Sequence, residues 1–108
     1  MEIESAVSAL AALAQEHRLE AFRLLVRAGE KGMAAGAISA AMAMPASSLS
    51  FHLAQMERAG LIRRTRQGRH LIYSADYAGM NGLLAFLTEN CCAGSPGACL
   101  PATERTAA

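Results

Sequence analysis

The sequence predicts a mainly α fold with one small β-hairpin, and three observations lead there. Ala-rich runs are abundant, aromatics make up only 5% and Trp is absent, a composition that favours helix over sheet. Apolar residues recur at helical spacing in five separate stretches, whereas one Arg-rich segment reads as two short β-runs around a Gly. With 108 residues, 53% of them apolar and 18% charged, the chain makes one domain with a modest core and is not disordered.

The first helix is expected over residues 3–15, where Ile3, Val7, Leu10 and Ala14 follow one another at spacings of 4, 3 and 4. A second fits His17 to Ala28, with Leu19, Phe22, Leu25 and Val26 inward and Gly29 as its stop. After the turn "GEKG", the stretch "MAAGAISAAMAM" predicts a short helix that buries Ile38 and Met42 and ends before Pro45. "PASSLSFHLAQMERAG" carries strong boundary signals: Pro45 at the start, Ser47 and Ser48 near the first turn, Gly60 at the end. Leu49, Leu53 and Met56 supply its buried face. In "LIRRTRQGRHLIYS", Leu61 and Ile62 open one strand and Leu71, Ile72 and Tyr73 form the next, with Gln67-Gly68 as the turn. A last helix covers about Tyr77 to Asn90, with Met80, Leu83, Leu84 and Leu87 along one side.

Residues 1–92 are thus expected to form one domain, and residues 93–108, rich in Gly, Pro, Ala, Ser and Thr, a flexible tail. The first and last helices both carry apolar stripes that a small core cannot cover. Burial against a symmetry mate is the simplest solution, so a homodimer through those helices is expected. No apolar stretch approaches a membrane span and nothing at Met1 resembles a signal peptide, which points to a cytoplasmic protein without a membrane partner.

Net charge is only +1, yet five of the ten Lys and Arg fall between Arg58 and Arg69. A short helix, a tight turn and a second helix, followed by this basic hairpin, make a winged helix-turn-helix plan. In that plan the second helix enters the major groove of double-stranded DNA and its early side chains meet base edges. Here those are Ser47, Ser48, Ser50 and His52, with Gln55 further along. Arg63, Arg64, Arg66 and Arg69 suit phosphate neutralisation or a minor-groove reach by the hairpin tip. A basic hairpin alone could be merely a solvated surface; behind this helix pair, DNA binding is the better reading. No cofactor is needed for it. No nucleophile–base constellation or phosphate-cradling loop supports an enzyme.

"LAQEHRLEAFRLL" and "MAMPASSLSFHLAQMERAGLIRRTRQGRHLIYS", with their spacing, resemble the arsenic-repressor (ArsR/SmtB) family of bacterial transcription regulators over about residues 8–90. The resemblance implies a homodimeric winged-helix repressor whose operator is an inverted repeat and which an inducer metal or metalloid releases. Inducer sites differ within that family. The helix-turn-helix stretch that carries a cysteine pair in some members is here "GMAAGAISA", without cysteine. The last helix offers Asp76 and Glu89 but no His for a zinc-type site, and no cysteine precedes Cys91. The chain therefore resembles the branch whose arsenite site is a cysteine cluster after the last helix: Cys91, Cys92 and Cys99, within "NCCAGSPGACL".

The chemistry of those residues agrees. Thiolates select soft ions, and trivalent arsenic or antimony prefers three sulfurs, whereas zinc wants a fourth ligand. Adjacent cysteines on a continuous helix would point about 100° apart, so shared coordination calls for a helix ending near Asn90, which tolerates left-handed backbone. Gly94, Pro96 and Gly97 would let Cys99 fold back. Other readings stay open: a thiol-redox or persulfide sensor, a sensor of methylated or aryl arsenicals using two sulfurs, or a tail without a role. A helical dimer that binds another protein is a further possibility. His17 reads as structural, His70 as a strand or DNA-backbone contact, and the methionines as core.

Overall fold

In the computed structural model, which describes residues 1–94, five α-helices accompany a three-stranded antiparallel sheet. The order is α1 (Ile3–Leu13), α2 (Glu16–Ala28), β1 (Met33–Ala34), α3 (Ala35–Met42), α4 (Ala46–Arg58), β2 (Ile62–Gln67), β3 (His70–Ala75) and α5 (Tyr77–Thr88). A short 3₁₀ turn, Cys91–Gly94, follows. The tail expected over 93–108 lies outside the described residues beyond Gly94, and Cys99, Pro96 and Gly97 lie there with it.

The core is built where α2, α3 and α4 meet the sheet. Leu25, Ile38, Leu49, Leu53, Met56, Leu61 and Ile62 are its fully buried large side chains. Each such side chain contributes about 1.5–3 kcal/mol by leaving water, so the three from α4 anchor that helix firmly. Tyr77 ties α5 to α2 by donating its hydroxyl proton to the Val26 carbonyl at 2.8 Å. Asp76 caps α5 by accepting from the Gly79 N–H at 3.0 Å.

Several sequence expectations are corrected. The hairpin is joined by a third strand: Met33 and Ala34 pair with Tyr73 and Ile72 of β3, giving the sheet order β1-β3-β2. A two-residue strand has no periodicity to betray it. The turn is Gly68-Arg69 rather than Gln67-Gly68, because Gln67 already pairs with His70. Gly68 takes φ 62 at the first turn position, where a two-residue hairpin needs positive φ. Helix α1 ends at Leu13 and α5 at Thr88, each two residues early. Leu19, expected inward, is exposed; Ala21 takes the buried position beside Phe22 and Leu25.

The apolar stripe of α1 points outward. Its buried residues are Ala6, Ala9 and Ala12, while Ile3, Val7 and Leu10 are 61%, 58% and 44% exposed. Small alanines let α1 lie close to α2 and α4, which leaves the large side chains on the free face. On α5, likewise, only Leu83 is buried, and Leu84 and Leu87 are 51% and 55% exposed. Helices α1 and α5 touch one another. No helix among the described residues is long and apolar enough to cross a membrane.

A Cβ at Gly79 would run into the Gly60 carbonyl oxygen, so the first turn of α5 seats on backbone that cannot yield cheaply. Gly79→Ala should cost about 1–3 kcal/mol, as overpacking does, read as a lower melting temperature. Gly36→Ala, where a Cβ meets nothing within 4 Å, should leave melting unchanged or raise it slightly.

Candidate nucleic-acid interface

The turn between α3 and α4 is fixed by its own polar groups. The Ser39 hydroxyl donates to the Met44 carbonyl, and the Met44 N–H donates to the Ser39 carbonyl at 3.1 Å. Ala43 closes α3 in the left-handed region at φ 51, which reverses the chain within three residues. Pro45 then precedes α4, and no side chain caps that helix. Its first turn thus keeps N–H groups that no capping side chain accepts, at the positive end of the helix dipole.

Burial of Leu49, Leu53 and Met56 sets the rotation of α4. Ser47, Ser48 and Ser50 are exposed, as the sequence predicts for residues that meet a groove. Phe51 is exposed too, at 59%, although it was not among the expected reading residues. His52 and Gln55 sit differently. Gln55 is half-buried and lines a cleft of about 390 Å³ between α1 and α4, together with Ser8, Ala12, Arg18 and Arg58.

His52 is engaged within the protein. Arg18 donates from Nη1 to its Nδ1 at 3.3 Å, and from Nε to the Ala12 carbonyl at 2.6 Å. Because a guanidinium can only donate, the accepting Nδ1 carries no proton and His52 is neutral in this arrangement. His17 lies beside it, with ring centroids 5.9 Å apart, and Phe51 meets it edge-on at 5.8 Å. One arginine thus links the end of α1, the start of α2 and the middle of α4. Burial foremost, then the Arg18 charge and His17, holds the His52 pKa below its ordinary value of 6.5.

The basic hairpin does not present its arginines as one row. Side chains alternate along a strand, so Arg64 and Arg66 share a face with buried Ile62, and Arg63 takes the other. Arg64 reaches back to Glu57 of α4, Nε to Oε2 at 3.6 Å, an exposed pair worth about 0–1 kcal/mol. Arg63, Arg66 and Arg69 are exposed, Arg69 at the turn. Strand β2 packs against α4, and the Arg64–Glu57 pair joins the hairpin to the end of that helix.

Beyond α5, Asn90 adopts φ 55 and Cys92 φ 58, so the helix breaks before the cysteine pair. Cys91 and Cys92 are half-buried; Cys99 lies outside the described residues. Among the described residues no three His, Cys, Asp or Glu side chains gather to hold a metal ion. Sequence reading missed Arg18, Glu57 and Phe51. Only Phe51 had a legible signal: it falls opposite Leu49, Leu53 and Met56 on a helical wheel.

The family model for a helix-turn-helix domain matches residues 13–65. The HTH-type transcriptional regulator YgaV of Escherichia coli (strain K12) is 32% identical over 89 residues, covering 82% of this chain and 88% of that protein. The solved ArsR-like transcriptional regulator from Rhodococcus sp. RHA1 superposes with a TM-score of 0.70 and 25% identity, over 78% of this chain and 76% of that one. The homodimeric winged helix-turn-helix domain Mb0332 from Mycobacterium bovis shares the fold at a TM-score of 0.65 and 23% identity, over 82% of each chain.

A histidine held below its ordinary pKa contributes stability that is complete above about pH 6.5 and is lost as pH falls toward the lowered value. Melting temperature should therefore drop on acidification from pH 7.5 to about 5.5, and drop less in His52→Gln, whose amide does not titrate. Equal acid sensitivity of the two proteins would show that His52 is not the group responsible.

Proposed function

The chain belongs to the ArsR family of winged helix-turn-helix transcriptional regulators, and on that premise we propose that it is a homodimeric repressor released from operator DNA when trivalent arsenic or antimony binds Cys91, Cys92 and Cys99. The observation that carries this reading is the position of the cysteine pair. Cys91 and Cys92 stand just beyond α5, past Glu89 and Asn90, and α5, like the α1 it packs against, carries exposed apolar side chains.

Ile3, Val7 and Leu10 of α1 with Leu84 and Leu87 of α5 form the dimer surface in this reading. Two copies of α4 then face an inverted-repeat operator about one helical turn apart. Ser47, Ser48 and Ser50 donate to bases and phosphates. Arg63, Arg66 and Arg69 neutralise phosphates, with Arg64 shared between Glu57 and the backbone. His52 and Gln55, from their places against α1 and α2, orient α4 more than they read it.

The thiols suit the inducer. Three sulfur–arsenic bonds replace three arsenic–oxygen bonds of arsenite, and the oxygens leave as water. The left-handed backbone at Asn90 and Cys92 frees the pair from helical geometry, which supports ligation by neighbouring residues. Cys99 supplies the third sulfur from beyond the described residues. Closing that loop ties the end of α5 to the tail, shifts the dimer face and changes the spacing of the two reading helices.

Operator gel shifts test the proposal. Arsenite should weaken binding 5- to 150-fold, the range of an allosteric coupling of about 1–3 kcal/mol. Cys91→Ser/Cys92→Ser/Cys99→Ser should bind the same DNA and ignore arsenite; release of that variant would remove the cysteines from the mechanism. Release by polysulfide or peroxide, with no response to arsenite, would replace the metalloid by a redox signal.

The dimer surface has its own check. Leu84→Glu should sediment as a monomer and bind operator roughly tenfold or more weakly, because its two half-sites are then occupied independently. Retention of the dimer would place the interface elsewhere.

A further inference from the structure

Phe51 is a large apolar side chain on the outward face of α4, 59% exposed. It shares that face with Ser47, Ala54 and Arg58, at spacings of 4, 3 and 4, directly opposite the buried Leu49, Leu53 and Met56. Exposed apolar residues are common on protein surfaces, but the surroundings of this one are specific. Along α4 it stands between the exposed Ser47 and Ser50, on its N-terminal side, and the exposed Arg58 at the helix end. What fits is a small apolar group set among anions.

In the major groove of DNA only one base offers that combination. Thymine presents its C5 methyl, while the other bases present hydrogen-bonding groups, and phosphates flank the groove on both sides. Phe51 is the sixth of the thirteen residues of α4, within the part of a reading helix that meets base edges. Its ring is also oriented. The edge-on contact with His52, itself held by Arg18, gives the ring a supported position on the helix. We propose that Phe51 is a sequence-specificity residue that packs on the methyl group of a thymine in each operator half-site. This rests on the DNA-binding reading above and adds an apolar contact to a surface otherwise made of hydroxyls and guanidinium groups.

The test removes the methyl and nothing else. Operator duplexes are first enriched from a randomised library with the full-length protein, and each thymine is then replaced by deoxyuridine. For the unaltered protein, one symmetric pair of replacements should weaken binding about fourfold per half-site and roughly fifteenfold together, the cost of leaving one methyl unburied at each. Phe51→Ala should melt like the parent, bind the original operator more weakly, and bind the thymine and deoxyuridine duplexes equally.

Indifference of the unaltered protein to every deoxyuridine overturns the proposal. So does a Phe51→Ala variant that keeps the full deoxyuridine penalty, or one that binds the operator as tightly as the parent. A library that yields no enriched, salt-sensitive sequence instead overturns the DNA-binding reading and the proposal with it. The two failures are therefore distinguishable.

Discussion

The burial of Leu49, Leu53 and Met56 against the core is the constraint on which the rest of the molecule depends. These three side chains decide which way α4 is turned, and a helix so fixed must offer its opposite face to solvent. Everything read as functional on that helix follows from this rotation: the serines at its start, Phe51 in its middle, Arg58 at its end. The turn that precedes it is secured by Ser39 and Met44, so position as well as rotation is set before any ligand arrives. A reading helix held this way pays little ordering entropy when it enters a groove.

What the sequence made legible is what periodicity and boundary residues encode. Helix α4 is legible nearly to the residue because Pro45, Gly60 and three buried positions all agree. The misplacements have physical causes of the same kind. On α2, Leu19 is expected inward but is exposed and Ala21 takes the buried place, whereas the α1 stripe of Ile3, Val7 and Leu10 stands outside the core as a stripe kept for a symmetry mate does. A pattern of spacing says that one face differs from the other; it does not say which face the rest of the chain will cover. Strand β1 was invisible because two residues cannot display alternation, and its pairing partner on β3 is about forty residues away.

The candidate site was legible where it is local and hidden where it is tertiary. Ser47, Ser48 and Ser50 follow from their place on one helix. Arg18 could not be found that way, since its partners His52 and Ala12 come from two other helices. Arg64 shows the same limit in the opposite sense. Sequence counted it among four equivalent arginines, and strand alternation together with Glu57 gives it a different position from Arg63. Charge composition predicts a field; which charges are free to meet a phosphate is a property of the fold.

The Arg18 contacts give the proposed control of DNA binding a physical route. In the proposed reading, arsenic at the end of α5 would act on α1, because α1 and α5 pack together. The last turn of α1 presents the Ala12 carbonyl to Arg18 Nε, and the same guanidinium donates to His52. A shift of α1 must therefore be absorbed either by losing one of these hydrogen bonds or by moving the centre of α4. Both hydrogen bonds are part-buried, so losing either carries a cost, and movement of α4 competes with breaking the link. The residue next to His52 is Phe51, whose ring meets the imidazole edge-on. Displacement of His52 would thus be felt first at the apolar contact, where a fraction of an ångström separates van der Waals contact from a gap.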